Sequence, residues 1–131
     1  KGLKFLCANP DIVVDRGAHR EWCAGALAQL YTQIGGESLY FGKPFGPIYD
    51  LAFRRLKALA PDISPASVLA IGDGVQTDVK GASDAGLDAL FIAGGLAARE
   101  TKTKRDPDPT ALAQFLHAEN QSAKYTIGFL R

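Results

Sequence analysis

Methionine is absent from this chain, and cysteine and histidine occur only twice each. Cys7 and Cys23 lie 16 positions apart, form no Cys-x-x-Cys and have no clustered histidines beside them. That spacing supports neither a structural zinc site nor a disulfide framework, and both thiols are expected to stay reduced as small hydrophobes in apolar surroundings. Charge of one sign is also missing: 15 basic residues face 14 acidic ones, for a net charge of +1. A chain so balanced has no electrostatic footprint for nucleic acid or for a membrane surface, so neither is expected as a partner. No apolar run approaches the roughly 18 to 20 residues of a membrane span, and the first residues lack the charged-then-apolar layout of a signal peptide. A soluble, cytoplasmic protein acting on small molecules is the expectation. With no methionine, and with an opening at Lys1 that already reads as a strand, the chain is expected to be a piece of a longer protein.

What is present is apolar. Nearly half of the 131 residues are hydrophobic, enough for one core with a fragment of a second domain beside it. There is no internal repeat and no low-complexity run. The sharpest changes of character fall in Ser67 to Gly86, S-V-L-A-I-G-D-G-V-Q-T-D-V-K-G-A-S-D-A-G. Val68 to Ile71 is a short apolar run halted by Gly-Asp-Gly, the pattern of a buried parallel strand ending in a tight turn. Val79, Ala82 and Ala85 then recur at helical spacing, and Gly86 closes the segment as a C-terminal cap. Asp73 is thereby expected at the carboxyl end of a strand and Asp78 near the start of the next helix, where open α/β sheets bind ligands. Two readings of this pair stay open. The carboxylates can share a magnesium ion, or Asp73 ends a strand while Asp78 caps a helix.

Elsewhere the pattern alternates. Leu3 to Ala8 reads as a strand running into the turn Asn9-Pro10-Asp11, and Ile12 to Val14 as a second short strand before the polar loop Asp15-Arg16-Gly17. From about His19 to Ile34, Trp22, Ala26, Leu30 and Ile34 share one helical face, which Gly35-Gly36 ends, and His19 is expected as an exposed residue at its start. Leu39 to Phe41 is a brief strand before Gly42-Lys43-Pro44. The following helix carries Ile48, Leu51, Ala52, Leu56 and Leu59 and stops at Pro61. Leu87 to Ala93 is a further strand, broken by Gly94-Gly95. A charged loop from Arg99 leads to Asp108-Pro109, an N-cap and first-turn proline for a helix with Leu112, Phe115 and Leu116. Tyr125 to Leu130 is either an edge strand or a docked extension. The alternation from residue 39 onward predicts a parallel sheet flanked by helices, an α/β fold.

Lys43 sits at a strand-to-helix junction. It is either an ordinary solvated lysine or a fixed ammonium that offsets phosphate or carboxylate charge. Gly42-Lys43-Pro44, followed about thirty residues later by G-D-G-V-Q-T-D-V-K-G-A-S-D-A-G-L, resembles the third and fourth motifs of the haloacid dehalogenase-like hydrolases. With Asn9-Pro10-Asp11 upstream, the chain is similar to the nitrophenyl-, sugar- and nucleotide-phosphatase-like members, which insert a large cap between the second and third motifs. The resemblance spans roughly residues 5 to 118. It implies that residues 1–38 are the end of an α/β cap and residues 39–131 the C-terminal part of a Rossmann-like core.

The same resemblance makes Lys43 the catalytic ammonium that stabilises the phosphoryl group. Asp73 and Asp78 become the acidic residues of a magnesium site, and Asn9 joins Lys43 in binding a small phosphorylated metabolite. Such chemistry needs cationic clamps and a metal to offset developing negative charge. Asp11 and Arg16 either face substrate or serve as turn and surface residues. The family also requires an Asp-x-Asp nucleophile pair after an apolar strand, and none occurs here: Asp106-Pro107-Asp108 has the spacing but lies in a proline-bearing loop, and Asp62 too is a loop residue. The chain is therefore expected to hold the electrostatic half of a phosphatase site without the half that forms a covalent intermediate. A non-catalytic relative that binds a metabolite or partner, a phosphomutase and a dehalogenase remain alternatives. A truncated cap would leave apolar surface around Trp22 and Leu30 that invites self-association.

Overall fold

Parallel strands with helices between them make up most of the computed structural model, which describes residues 2–17 and 19–131. The chain divides into two compact units, Lys1–Arg55 and Leu56–Arg131.

In the first unit, strand β1 (Lys4–Cys7) is followed by the hairpin of β2 (Val13–Arg16) and β3 (His19–Trp22), then by helix α1 (Ala24–Gln33) and strand β4 (Glu37–Tyr40). Strands β1 and β4 pair in parallel, with Leu6 opposite Leu39 and Cys7 opposite Tyr40. Helix α1 buries two of its small residues, Gly25 and Ala28, so that its backbone comes close to its neighbours. Tyr31 packs against Phe5 with the rings tilted by 38° and donates its hydroxyl to the Leu3 carbonyl at 2.6 Å. The Ala28 carbonyl accepts from both Thr32 Oγ1 and Ser38 Oγ, tying α1 to β4. Gly35, at φ 89°, ends the helix in the left-handed conformation that glycine adopts without steric cost.

Two expectations are corrected here. The helix begins at Ala24, not near His19, because His19 to Trp22 pair antiparallel with Val13 to Arg16. Asp15 and Arg20, directly opposite one another, form a two-point ion pair at 2.8 and 2.9 Å, and Arg16 reaches Glu21 at 3.4 Å. Trp22 is thus a strand residue, 78% exposed, rather than part of a helical stripe. The brief strand at residues 39–41 belongs with β1 rather than with the later parallel sheet. Leu27 and Leu30 on α1, and Ile34 at its C-cap, are all exposed.

Helix α2 (Gly46–Leu59) carries the division between the units. In the second unit, a 3₁₀ turn (Pro65–Ser67) leads into strand β5 (Leu69–Gly72). A widened helical turn (Val75–Val79) and the short helix α3 (Lys80–Asp84) then cross to strand β6 (Asp88–Ile92). Helix α4 (Pro109–Ala118) crosses to strand β7 (Tyr125–Ile127), which settles the tail as an edge strand. The three strands are parallel in the order β5-β6-β7. Ala89 and Phe91 of β6 point to one face, where Val79, Ala82, Phe115 and Leu112 close the core. Phe91 is completely buried and stacks on Phe115 with ring centres 6.2 Å apart. The Asp108 carboxylate accepts from the Ala111 N–H at 2.8 Å, so α4 starts at the cap and proline that its sequence announces. No helix among the described residues is long and apolar enough to cross a membrane.

Candidate functional site

Asn9, Lys43, Asp73 and Asp78 all lie on connections that leave the carboxyl end of a parallel strand, two in each unit, whereas Arg16 is in the antiparallel hairpin. In the first unit the turns after β1 and β4 lie side by side. Asn9-Pro10-Asp11 follows β1, and its exposed Asn9 accepts the Asp11 N–H on Oδ1 at 3.1 Å, an Asx turn that leaves the side-chain NH₂ for other partners. The Phe41 N–H reaches the Cys7 carbonyl at 3.0 Å and carries the pairing one step past β4. Gly42 then packs against the first turn so closely that a Cβ on it would lie 2.2 Å from Pro10 Cδ and 2.6 Å from the Ala8 carbonyl oxygen. The glycine of Gly-Lys-Pro is therefore required for contact, and it sets the Lys43 backbone beside the Asn-Pro-Asp turn. Tyr40 and Phe45 stack across this segment at 4.8 Å, and the Lys43–Pro44 peptide is cis. Gly25, at the start of α1, closes the same turn from its other side: its N–H bonds the Asp11 carbonyl, and a Cβ there would strike the Pro10 carbonyl.

In the second unit the turn after β5 is built by one carbonyl. The Gly74 oxygen accepts from Thr77 N at 3.2 Å, Asp78 N at 2.7 Å and Val79 N at 3.1 Å, which opens the helical turn beyond the ordinary α spacing. Widened turns of this kind recur at functional sites. Asp78 then folds back, its Oδ2 accepting the Gly74 N–H at 3.0 Å. Asp73 turns the other way, toward the loop after β6, where its Oδ2 accepts the Leu96 N–H at 3.2 Å. Both acids are half-buried.

Three glycines hold this pair of carboxylates. A Cβ on Gly72 would lie 2.1 Å from Asp78 Cγ, one on Gly74 would lie 3.1 Å from Asp78 Oδ2, and one on Gly95 would lie 2.2 Å from Asp73 Oδ2. Each acid is packed against bare backbone that any side chain would occupy. Magnesium is usually held by one or two carboxylates, with water and substrate phosphate completing six oxygens. Asp73 and Asp78 fit that requirement in number and kind, and their cradle gives them fixed positions. Among the described residues no group of three or more His, Cys, Asp or Glu side chains gathers into a denser metal centre.

The structure thus sets Asn9 beside the Gly-Lys-Pro turn in one unit, and in the other it places Asp73 and Asp78 on the same connection after β5, each accepting from a different backbone N–H. It also shows residues that the sequence did not flag. Gly72, Gly74 and Gly95 read only as turn and strand breakers, although their shared role is to admit carboxylates. Leu96 acts through its backbone and leaves no trace in residue type. Gln76, next to the acidic turn, donates to the Glu119 carbonyl and carboxylate at 2.9 and 2.8 Å and anchors the turn to the end of α4.

A family model described as HAD-hydrolase-like matches residues 40–118. Dihydroxyacetone phosphatase of Corynebacterium glutamicum is 30% identical over 97 residues, which make up 73% of this chain and 34% of that protein. The 5'-nucleotidase YutF of Bacillus subtilis is 30% identical over 110 residues, 83% of this chain and 41% of that one. Among solved structures, a haloacid dehalogenase-like hydrolase from Brucella suis is 53% identical with a TM-score of 0.67, covering 74% of this chain and 38% of its own. A possible sugar phosphatase from Cytophaga hutchinsonii shares the fold along the whole chain, with a TM-score of 0.74 at 17% identity and 44% of its own length covered. The chain spans less than half the length of the curated relatives it matches.

Proposed function

The chain belongs to the HAD-hydrolase-like family, and from that premise we propose that it is the C-terminal part of a magnesium-dependent phosphomonoester hydrolase of the cytoplasm. The observation that carries this reading is the glycine-lined pair of carboxylates at the end of β5, Asp73 and Asp78, with their oxygens fixed by the Leu96 and Gly74 N–H groups. Two curated relatives are named for a phosphatase and a nucleotidase, which supports a small phosphorylated metabolite as substrate. Both cysteines are free thiols, in keeping with a reducing compartment.

In this reading Asp73 and Asp78 hold the cation. When bound, magnesium neutralises phosphoryl oxygens and so lowers the cost of charge developing during transfer. Lys43 supplies a second, permanent positive charge for the phosphoryl group, on a backbone set by the contact of Gly42 with Pro10. Asn9 offers its side-chain NH₂ as a donor to substrate. In this reading residues 1–38 are the closing part of a cap and residues 39–131, Lys43 among them, belong to the core. The nucleophile, an aspartate that would form a phosphoryl ester, comes from residues outside these 131, so the chain alone does not turn over.

The test uses the full-length enzyme and p-nitrophenyl phosphate. Asp73→Asn weakens magnesium activation at least tenfold, and Lys43→Ala lowers kcat by about 10² to 10³ with the fold intact, as the loss of one charge-stabilising group does. Unchanged magnesium dependence in the first variant removes Asp73 from the site. A near-normal rate in the second removes Lys43.

A further inference from the structure

The loop between β6 and α4 approaches Asp73 through backbone alone. Gly95 lies so close that a Cβ would sit 2.2 Å from Asp73 Oδ2, 2.5 Å from its Cβ and 2.7 Å from its Cγ. The Leu96 N–H donates to that same Oδ2 at 3.2 Å. One carboxylate oxygen is thereby committed to the loop, and the direction of the other is set with it, because a carboxylate is planar and short.

The loop is itself fastened from within. Thr101 is completely buried, the only buried polar side chain among the described residues. Its hydroxyl lies 2.7 Å from the Ala97 carbonyl oxygen, 3.1 Å from the Ala93 carbonyl oxygen and 2.7 Å from the Thr103 hydroxyl. Ala93 is the residue that follows β6, and Ala97 adjoins Leu96. Those two carbonyls bracket Gly94 to Leu96, so a single hydroxyl gathers both ends of the segment that meets Asp73. The base of the segment is pinned again by the Ala93 and Gly94 N–H groups, which donate to Ile127 and Gly128 at 2.9 and 2.8 Å. A buried hydroxyl without a partner is costly, whereas this one has a single proton within reach of both bracketing carbonyls, the shorter approach being to Ala97, and so ties them to one side chain.

We propose that the loop from Gly94 to Thr103 is the positioning device for the Asp73 carboxylate, with Gly95 admitting the side chain, Leu96 N–H selecting its oxygen and Thr101 acting as a positioning residue through the loop. This rests on the reading of Asp73 as a magnesium ligand. Partners that orient a metal-binding side chain typically control affinity by about 10- to 100-fold without touching the ion.

The experiment measures equilibrium binding of Mn²⁺ to the full-length enzyme without substrate, by the electron paramagnetic resonance signal of the free ion, with thermal midpoints of the metal-free proteins recorded in parallel. Gly95→Ala weakens Mn²⁺ binding by about tenfold or more. Its backbone is not in the left-handed region, so the collision with Asp73 is the perturbation it introduces. Thr101→Val, which keeps the shape and removes the hydroxyl, weakens binding several-fold, and Thr101→Ser restores it. A purely structural Thr101 would lower the thermal midpoint while the folded protein keeps its Mn²⁺ affinity. Wild-type affinity in Gly95→Ala overturns the proposal even where Thr101→Val fails to fold. Asp73→Asn separates the two levels: if it weakens binding while the loop variants do not, the positioning device is wrong and the metal ligand stands. If Asp73→Asn binds Mn²⁺ normally, the reading beneath the proposal is wrong as well.

Discussion

Replacing Gly72 by alanine adds one carbon atom, and the structure says where that atom goes. The new Cβ would lie 2.1 Å from Asp78 Cγ, 2.3 Å from Oδ2 and 2.4 Å from Cβ. Ordinary contact begins near 3.4 Å, so the carboxylate carbon must retreat by about 1.3 Å. The main chain has little reason to yield. Gly72 is the last residue of β5, its φ lies outside the left-handed region, and its strand is paired along its length with β6. Asp78 must therefore move, and its 3.0 Å bond from the Gly74 N–H breaks or stretches. Metal–oxygen distances tolerate about 0.2 Å, a small fraction of that displacement. Gly72→Ala should thus weaken Mn²⁺ binding to the full-length enzyme by about 10- to 100-fold. The lost bond to a charged acceptor should also cost about 1.5 to 3 kcal/mol of stability. Isothermal titration with Mn²⁺ and a urea melt measure the two effects. A Gly72→Ala protein that binds Mn²⁺ like the wild type, or a crystal structure of it with Asp78 in place, refutes the idea that this glycine makes room for a ligand.

Two further outcomes check the fold around the site. Phe91→Ala removes the largest fully buried side chain and its stacking on Phe115, and should destabilise the β5-β6-β7 unit by about 3 to 5 kcal/mol in urea denaturation; a cost under about 1 kcal/mol would mean that the core closes elsewhere. In the hairpin, the hydrogen bonds from Arg20 hold the Asp15 carboxyl below the usual carboxylate range. A carboxylate depressed in the folded state stabilises it above the unfolded pKa, and that contribution is lost as pH falls through the folded value. Carboxyl NMR titration should therefore show Asp15 becoming protonated later on acidification than an ordinary aspartate, and Arg20→Ala should return it to the ordinary range. No change in Arg20→Ala would show that the ion pair does not form in solution.

The strands were legible where one short apolar run met glycine or proline, as at Val68 to Gly74 and Leu87 to Gly95. There the residues that make the strand and those that end it are neighbours. The hairpin was not legible for the opposite reason. His19-Arg20-Glu21-Trp22 holds one strongly apolar residue in four, and its strand character comes from Val13 to Arg16, whose Asp15 and Arg16 pair with Arg20 and Glu21. The helical spacing from Trp22 through Ile34 extended a real helix backward over residues that a partner strand had claimed. Sheet membership failed in the same manner at Leu39: a three-residue apolar step looks alike whether its partner strand stands earlier or later in the chain, and pairing with β1 decided it.

The candidate site divides along the same physical line. Charge resides in the side chain that carries it, so Asp73 and Asp78 stand out in the sequence as candidates. Orientation resides in whatever surrounds the charge. For these acids that is mostly backbone: Gly72, Gly74, the Leu96 N–H and Gly95, a glycine far along the chain from Asp73 whose only visible signal was the end of a strand. A hard cation responds to both, since it requires negative oxygens and requires them at set distances. Two proteins with the same acids at the same spacing would differ in metal affinity if one carried a side chain at the position of Gly72 or Gly95. On the proposed reading of Asp73 and Asp78 as cation ligands, the glycines belong to the binding specification as much as the carboxylates do, and substitutions at Gly72 and Gly95 test that reading more sharply than removal of the acids, because they leave every charge in place and change only where it points.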